Sequence, residues 1–484
     1  MITGRRMAAV DENAAALGVA RKQLMESSGN AVARAVRETT APGSRVVIVA
    51  GRGNNGGDAF VAARFLDDVG GAEGCEVTTI LLGRPSAIGA DIARENWHAL
   101  TASGAETQTV DDSSGFELPE CDVVVDAILG TGVQGALREP AATAAEAINR
   151  ADATVLSVDV PSGFDADAGT HAENGVEADH VVTFHDTKPG LDGLDATVTV
   201  ADIGVPAAAE RLVGPGDVRT VRPGARTGRV FVIGGGPYTG APALAALAAL
   251  RAGAELSFVA APDAVAGEIQ GYAPDLIVQP YTGEILTLEQ VPDLVETAEA
   301  YDDVVILGPG LGRSEETLDA VRTFLTEYTG PAVVDAEALS VVPEVDTEAT
   351  LVCTPNRGEL AAMGGPSADD LERRADEVER FARELGHVVL AKGETDVITD
   401  GERTRLSRTG TPAMAVGGTG DLLAGITAGL VEHAPPFEAA AAAAYVNGLA
   451  GQQCVTTDDK PGLGLTASDL LEYLPVVLWG EDDD

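Results

Sequence analysis

The stretch VGGTGDLLAGITAGL (416–430) holds the residue types needed to move a phosphoryl group. Gly417, Gly418 and Gly420 lack Cβ, so the backbone there can turn sharply and aim several N–H groups at one point. The small and aliphatic residues that follow predict a helix opening near Gly420, whose positive end adds to the site. Asp421 then falls in the first turn, where its carboxylate can take a proton from a hydroxyl beside the bound anion. An anion cradle with an adjacent base implies phosphoryl transfer. The same residues without a ligand would be a glycine turn capped by aspartate.

A second constellation lies near the other end of the chain. RVVIVAGRGNNGGDAF (45–60) reads as an apolar strand, a turn of Gly and Asn, and a helix starting at Gly56–Asp58. Strand, glycine turn and helix together form the arrangement that holds phosphates or dinucleotides at the carboxyl end of a parallel strand. Asn54 and Asn55 tolerate the left-handed region and offer carboxamide oxygens, and Gly56 and Gly57 let a ligand approach the backbone. DVVVDAILGTG (122–132) and TVLSVDVPSGFDADAG (154–169) repeat the strand-then-glycine pattern. They place Asp126, Asp159 and Ser162 at strand ends, the usual ligand edge. Local turn bonds are the alternative use of each.

The elements that must position these residues alternate along the whole chain. Helical composition over 11–38 precedes the first strand; further strands are expected at 76–83, in HVVTFH and in TVTVADIG, with helices at 89–102 and 140–150. Residues 204–228 are rich in Pro, Gly and Arg, which puts a domain boundary at 214/215. A second series follows in RVFVIGGG (229–236), ELSFVAAP (255–262), VVILGPGLG (304–312), PAVVDAEAL (331–339), TLVCTPNRGEL (350–360) and HVVLAKGETDVITD (387–400). The fold class is α/β, with two domains, 1–214 and 215–484, each built on a mainly parallel sheet.

Composition bounds the environment. The 484 residues carry 76 Asp+Glu against 32 Lys+Arg, a net charge of −44, yet 45% are hydrophobic, which argues against disorder. Such charge repels nucleic acid and anionic lipid, so neither is an expected partner. Spread along the chain, it reads as a surface suited to molar salt, and a halophilic archaeal source is expected. Cys75, Cys121, Cys353 and Cys454 are far apart and are expected as free thiols in a reducing cytosol. No signal-peptide-like or membrane-spanning run is seen, so a cytoplasmic protein without a membrane partner is expected. A homo-oligomer is expected as well.

The strings NNGGD (54–58), DAILGTGVQGA (126–136) and VDVPSG (158–163) resemble the NAD(P)H-hydrate epimerases, in family order, over about residues 1–210. That resemblance implies a Rossmann-like α/β/α sandwich. It implies that Asn54, Asn55, Gly56, Gly57, Asp58 and Gly130, Thr131, Gly132, Val133, Gln134, Gly135, Ala136 hold the hydrated dinucleotide. Asn55, Asp126 and Ser162 would ligate K+, for which their hard oxygens are suited. Asp159 would meet the nicotinamide end and move a proton. Ala59 departs from the family, which often has a further glycine there.

The second half is similar to the ADP-dependent (S)-NAD(P)H-hydrate dehydratases, which have a ribokinase-like α/β/α fold. The matching strings are GGPYTGAP (235–242), LGPGLG (307–312), DAEAL (335–339), CTPNRGEL (353–360), AKGETD (391–396) and VGGTGD (416–421). By resemblance, Ala241, Gly310 and Asn356 would line the hydrate pocket, with Asn356 standing where the family usually has histidine. Lys392, Gly393, Glu394, Thr395, Asp396, Gly417, Gly418, Thr419 and Gly420 would bind the nucleotide, and Asp421 would act as base. Lys392 is one of only four lysines (Lys22, Lys188, Lys392, Lys460), and its place between a strand and a glycine suits a phosphate. The resemblance implies a bifunctional enzyme that repairs hydrated NADH and NADPH (NADHX and NADPHX) using ADP and Mg2+. A ribokinase-like small-molecule kinase fused to a dinucleotide-binding module is the alternative.

Overall fold

Apolar runs of five to seven residues, rich in Val and Ile, form the central strands of the first unit, as β-branched side chains buried in a parallel sheet should. In the computed structural model, which describes residues 1–67, 74–132, 135–301, 303–457 and 462–480, the chain divides into two compact units, Met1–Ala207 and Ala208–Asp484. The strands of the first are β1 (Arg45–Ala50), β2 (Glu76–Leu82), β3 (Glu106–Val110), β4 (Val123–Ala127), β5 (Thr154–Val158), a short antiparallel hairpin β6 (Phe164–Asp165) and β7 (Thr170–His171), then β8 (His180–Phe184) and β9 (Thr197–Ala201).

Seven of them pair in the order β3-β2-β1-β4-β5-β8-β9, all parallel. The chain leaves β1 toward β2 and β3, then returns to β1's other side as β4. That reversal opens a crevice at the carboxyl ends of β1 and β4, the place where doubly wound sheets bind ligands. Helices Arg21–Thr39 and Asn54–Leu66 are among those that cover the sheet.

The second unit has nine strands: β10 (Thr227–Ile233), β11 (Ala254–Pro262), β12 (Ile277–Tyr281), β13 (Val304–Leu307), β14 (Pro331–Val334), β15 (Thr350–Cys353), β16 (Val388–Ala391), β17 (Asp396–Thr399) and β18 (Thr404–Ser407). Their order is β12-β11-β10-β13-β14-β15-β16-β17-β18, parallel as far as β16 and antiparallel from there. The continuous run expected at 387–400 is therefore a hairpin, with KGET (392–395) as its turn. Residues 212–217 belong with this sheet: the Val213 N–H donates to Leu406 O at 2.9 Å, and Asp217 forms a buried ion pair with Arg405 at 2.5 Å.

Helices Gly240–Arg251, Thr419–Val431 and Pro436–Thr457 are rich in Ala and Gly and pack one face of that sheet. Small residues let backbones approach: a Cβ on Gly425 would stand 2.2 Å from Ala245 O. Helix Thr419–Val431 is thereby held firmly behind its own N-terminus. Among the described residues no helix is long and apolar enough to cross a membrane. Cys121, Cys353 and Cys454 are buried, Cys75 is half-buried, and among the described residues none of them forms a disulfide.

Candidate active sites

In the first unit, helix Asn54–Leu66 begins at Asn54, earlier than the sequence suggested, with Gly53 as its N-cap. Asn54 and Asn55 are thus in the first helical turn rather than in a left-handed turn. The space beside Gly56 and Gly57 is filled by protein. A Cβ on Gly56 would stand 2.1 Å from Gly51 O, and one on Gly57 2.8 Å from Met25 Sδ. These glycines let the helix start press against the end of β1 and against helix Arg21–Thr39; approach of a ligand is not what empties the space. Asn55 is buried, and its Nδ2 has no hydrogen-bond partner among the described residues. Its amide backs onto Gly130, whose Cβ would lie 3.4 Å from Asn55 Oδ1.

Asp126 is fully buried in β4. Its Oδ1 accepts from Ser162 Oγ at 2.6 Å, and its Oδ2 accepts from Ser162 N–H and Ser157 Oγ, both at 2.8 Å. Burial raises this carboxyl above its usual range, while the Ser162 and Ser157 hydrogen bonds pull it back. Among the described residues no cation pairs with it. The Leu129 N–H donates to Ser162 Oγ at 2.9 Å, so the loop after β4 ties Asp126, Ser162 and Asn55 into one neighbourhood. Thr131 lies against Gly4; Gly132, Gly135 and Ala136 are exposed, with Gly135 at φ 89°. Val133 and Gln134 lie outside the described residues. A cavity of about 790 Å³ opens beside this loop, lined by Gly51, Leu82, Ile128 and Gly135 among others.

Asp159 is the first residue after β5 and has φ 65°, a left-handed conformation that costs a non-glycine residue energy and recurs at functional sites. Its Oδ1 accepts from Thr183 Oγ1 at 3.0 Å and lies 3.2 Å from Lys188 Nζ. Lys188 is 1% exposed, and its ammonium also donates to Thr183 Oγ1, Phe184 O and Asp186 O. Asp58 is held well above the usual carboxylate range, by burial first and then by Asp159 and Asp11. Asp11 is pushed up to about 6 by burial, which Arg21 opposes and Asp159 reinforces. Sequence reasoning missed Asp11 and Lys188. The scarcity of lysine, used for Lys392, applied equally to Lys188.

In the second unit, three consecutive parallel strands each deliver one polar residue immediately past their ends: Asp335 after β14, Thr354 after β15 and Lys392 after β16. Asp335 Oδ1 accepts from Thr354 Oγ1 at 2.7 Å and from Lys392 Nζ at 2.9 Å, and Glu359 Oε2 lies 3.7 Å from the same ammonium. Burial pulls Lys392 down, but Asp335 and Glu359 outweigh it, so the ammonium is held above its ordinary value. Helix Thr419–Val431 starts where the glycines suggested, with Gly418 as an αL N-cap at φ 98° and Asp421 in its first turn. Lys392 Nζ lies 3.1 Å from where a Cβ on Gly420 would be, so the lysine faces the glycine cradle. Asp421 is pushed up to about 7 by burial and by Asp335, partly offset by Lys392.

The remaining expected residues are distributed around this point. Ala241 is half-buried at the start of helix Gly240–Arg251, and Gly310 is buried with φ 77°, its Cβ position 2.2 Å from Tyr238 O. In the hairpin turn, Gly393 N–H donates to Asp396 Oδ1 at 2.8 Å, Asp396 is pushed up to about 6 by burial, and Glu394 is exposed beside half-buried Thr395. Arg374 braces the turn by donating to Ala391 O and Lys392 O at 3.0 and 3.1 Å. Thr419 Oγ1 donates to Met414 O at 3.0 Å, and Gly417 is exposed. Asn356 caps helix Arg357–Ala362: its Oδ1 accepts from the N–H groups of Gly358 and Glu359, and Glu359 Oε2 accepts from Asn356 N–H at 2.7 Å. Asp335, Thr354, Glu359 and Arg374 had no role in the sequence reading, although three of them stand in or beside the quoted strings.

One chain thus carries a doubly wound unit and a second parallel-sheet unit in which a lysine faces a glycine-started helix. The family described as NAD(P)H-hydrate dehydratase matches residues 230–476, and the family described as YjeF-related protein N-terminus matches residues 21–190. The bifunctional NAD(P)H-hydrate repair enzyme Nnr of Methanothermobacter thermautotrophicus is 42% identical over 500 residues, covering 98% of this chain and 94% of its own length. That of Pyrobaculum aerophilum is 42% identical over 502 residues, covering 99% and 98%. A solved ADP/ATP-dependent NAD(P)H-hydrate dehydratase from Bacillus subtilis, co-crystallised with ATP/Mg2+, is 26% identical with a TM-score of 0.46, covering 55% of this chain and 97% of that one. The chain belongs to the bifunctional NAD(P)H-hydrate repair enzymes.

Proposed function

We propose that the chain repairs NADH and NADPH that have added water across the nicotinamide ring. Residues 1–214 interconvert the R and S hydrates. Residues 215–484 use ADP to phosphorylate the hydroxyl of the S hydrate, and loss of phosphate restores the dihydronicotinamide and leaves AMP. The observation that carries the second activity is Asp421 itself. It is a carboxyl near neutrality in the first turn of a glycine-started helix, with the Lys392 ammonium facing the same cradle.

Asp421 takes the proton from the hydrate hydroxyl as that oxygen attacks the β-phosphorus of ADP. The amides of 417–420 and the helix end meet the charge on the transferred group. Lys392, anchored by Asp335, supplies a positive charge at that point. Among the described residues no three His, Cys, Asp or Glu side chains are placed to ligate a metal. Magnesium would be carried on the phosphates of the nucleotide, with at most one or two protein carboxylates.

In the first unit Asp159 is held against Lys188, and Asp58 is raised well above the usual carboxylate range by burial, then by Asp159 and Asp11. A carboxyl raised in this way is suited to give a proton to the ring, and Asp159, fixed beside Lys188, is placed to take one. A fully buried Asp126 with no cationic partner among the described residues supports K+ held by Asn55, Asp126 and Ser162. When bound, the ion supplies the missing positive charge. Asp126→Ala should lower epimerisation and its K+ dependence together and spare dehydration of pure S hydrate; an unchanged epimerase would remove the ion from Asp126.

Incubating the protein with mixed hydrates, with and without ADP, while following dihydronicotinamide absorbance tests the whole reading. Recovery of absorbance beyond the S fraction, with AMP and free phosphate released, is expected. Accumulation of a stable phospho-ester would make the second unit a kinase instead.

A further inference from the structure

The 790 Å³ cavity of the first unit lies at the carboxyl ends of β1, β2 and β4 and carries two arginines that no step above uses. Arg52 follows Gly51 at the end of β1, and its side chain lies across Gly83, the first residue after β2. A Cβ on Gly83 would stand 2.8 Å from Arg52 Cδ. Arg138 lines the same cavity from the loop after β4. Among the described residues neither guanidinium has a hydrogen-bond or ion-pair partner, although acidic residues outnumber basic ones 76 to 32 in this chain. Other arginines near the end of β2 and in the helix that follows are taken: Arg84 pairs with Asp111 and Arg94 with Asp91. The one carboxylate on the cavity's described lining, Glu139, accepts from Ser113 Oγ and from the Thr143 N–H and Oγ1, which holds its charge at the start of helix Ala141–Arg150.

In doubly wound sheets the adenosine ribose of a dinucleotide lies at the end of the second strand. An acidic side chain there takes the 2′-hydroxyl, and an arginine takes a 2′-phosphate. Here β2 ends at Leu82 and is followed by Gly83 and Arg84, with no carboxylate, and Arg52 is laid over the glycine. We propose that this cavity receives the adenosine end of the hydrated dinucleotide and that Arg52 and Arg138 clasp its 2′-phosphate, so that the first unit prefers hydrated NADPH to hydrated NADH. The proposal rests on the epimerase reading of this unit.

Two measurements on the full chain test it. In calorimetry, 2′,5′-ADP binding should weaken roughly ten- to a hundredfold in the Arg52→Ala/Arg138→Ala variant, since a hydrogen bond to a charged group carries about that much. Binding of 5′-AMP, which lacks the 2′-phosphate, should weaken far less. In epimerisation, the same variant should lower kcat/KM for hydrated NADPH at least tenfold more than for hydrated NADH. Equal losses for both substrates would mean that the arginines hold the shared pyrophosphate, and would overturn the proposal. So would 2′,5′-ADP binding that does not change. A wild-type chain that does not epimerise at all, yet binds 2′,5′-ADP through these arginines, would instead defeat the epimerase reading and leave the phosphate site standing. Melting temperatures equal to wild type exclude misfolding, and Arg52→Lys, which keeps the charge, should recover part of the binding.

Discussion

Both units place a lysine against an aspartate at the carboxyl edge of a parallel sheet, but they surround it differently. Lys188 is 1% exposed beside Asp159, and its remaining donors meet neutral oxygens of Thr183, Phe184 and Asp186. Lys392 is 18% exposed beside Asp335, with Glu359 at 3.7 Å and Asp421 acting on it as well. In the first unit the lysine is saturated and serves to hold one carboxylate in place. In the second it stands among several carboxyls, so the ionisation of Asp421 is coupled to it. A saturated ammonium orients; an outnumbered one tunes.

The largest expected effect separates the two sites. Asp421→Asn should cut ADP-driven dehydration by roughly 100- to 10,000-fold, the usual cost of losing a general base, and leave R/S equilibration at the wild-type rate. Asp159→Ala should do the reverse, repairing S hydrate and then stalling. Assaying both reactions on both folded variants decides this, and substantial dehydration by Asp421→Asn would end the phosphoryl-transfer mechanism.

Lys188→Met tests the holding role. It leaves Asp159 without its cation and three neutral acceptors without the lysine's N–H groups. Removing one partner of a buried pair costs about 3–5 kcal/mol, and Asp159 is 17% exposed, so a loss near 3 kcal/mol is expected. Urea unfolding should show it, together with weakened epimerisation. A variant as stable as wild type would mean that the pair is not a working contact.

The tuning role appears in pH profiles. Asp421 is raised from 3.8 to about 7, so its ionisation costs the folded state. Its contribution to stability is therefore lost as pH rises from about 3.8 through about 7. The dehydratase needs the ionised form, so its rate should rise with pH through about 7. Asp335→Asn removes a charge that pushes Asp421 up and should move that limb to lower pH, whereas Lys392→Met should move it higher. A limb that stays put in both variants would uncouple Asp421 from the pair.

The smallest effect concerns Asn356. As an N-cap, its loss in Asn356→Ala should cost about 1 kcal/mol and loosen Glu359, with KM for the hydrate little changed. A raised KM at unchanged melting temperature would make it a substrate contact instead.

The sequence by itself determined the alternation of strands and helices, the glycine loops at strand ends and the first-turn position of Asp421. Each is written in local pattern: apolar runs of strand length, glycines where chains turn, a small-residue run that must be helix. The strings that carry the family resemblance are of the same local kind. Only the tertiary structure decided that Gly56 serves packing against Gly51, that Lys188 reaches Asp159, that Asp11 and Asp58 share the electrostatics of Asp159, and that Lys392 faces Gly420. Asp159's left-handed backbone and the placement of Arg52 over Gly83 belong with these. The physical reason is common to all of them. Burial and through-space charge depend on which strand ends become neighbours in the sheet, and that order (β1 beside β4, β14 beside β15 beside β16) is absent from any local window of the chain.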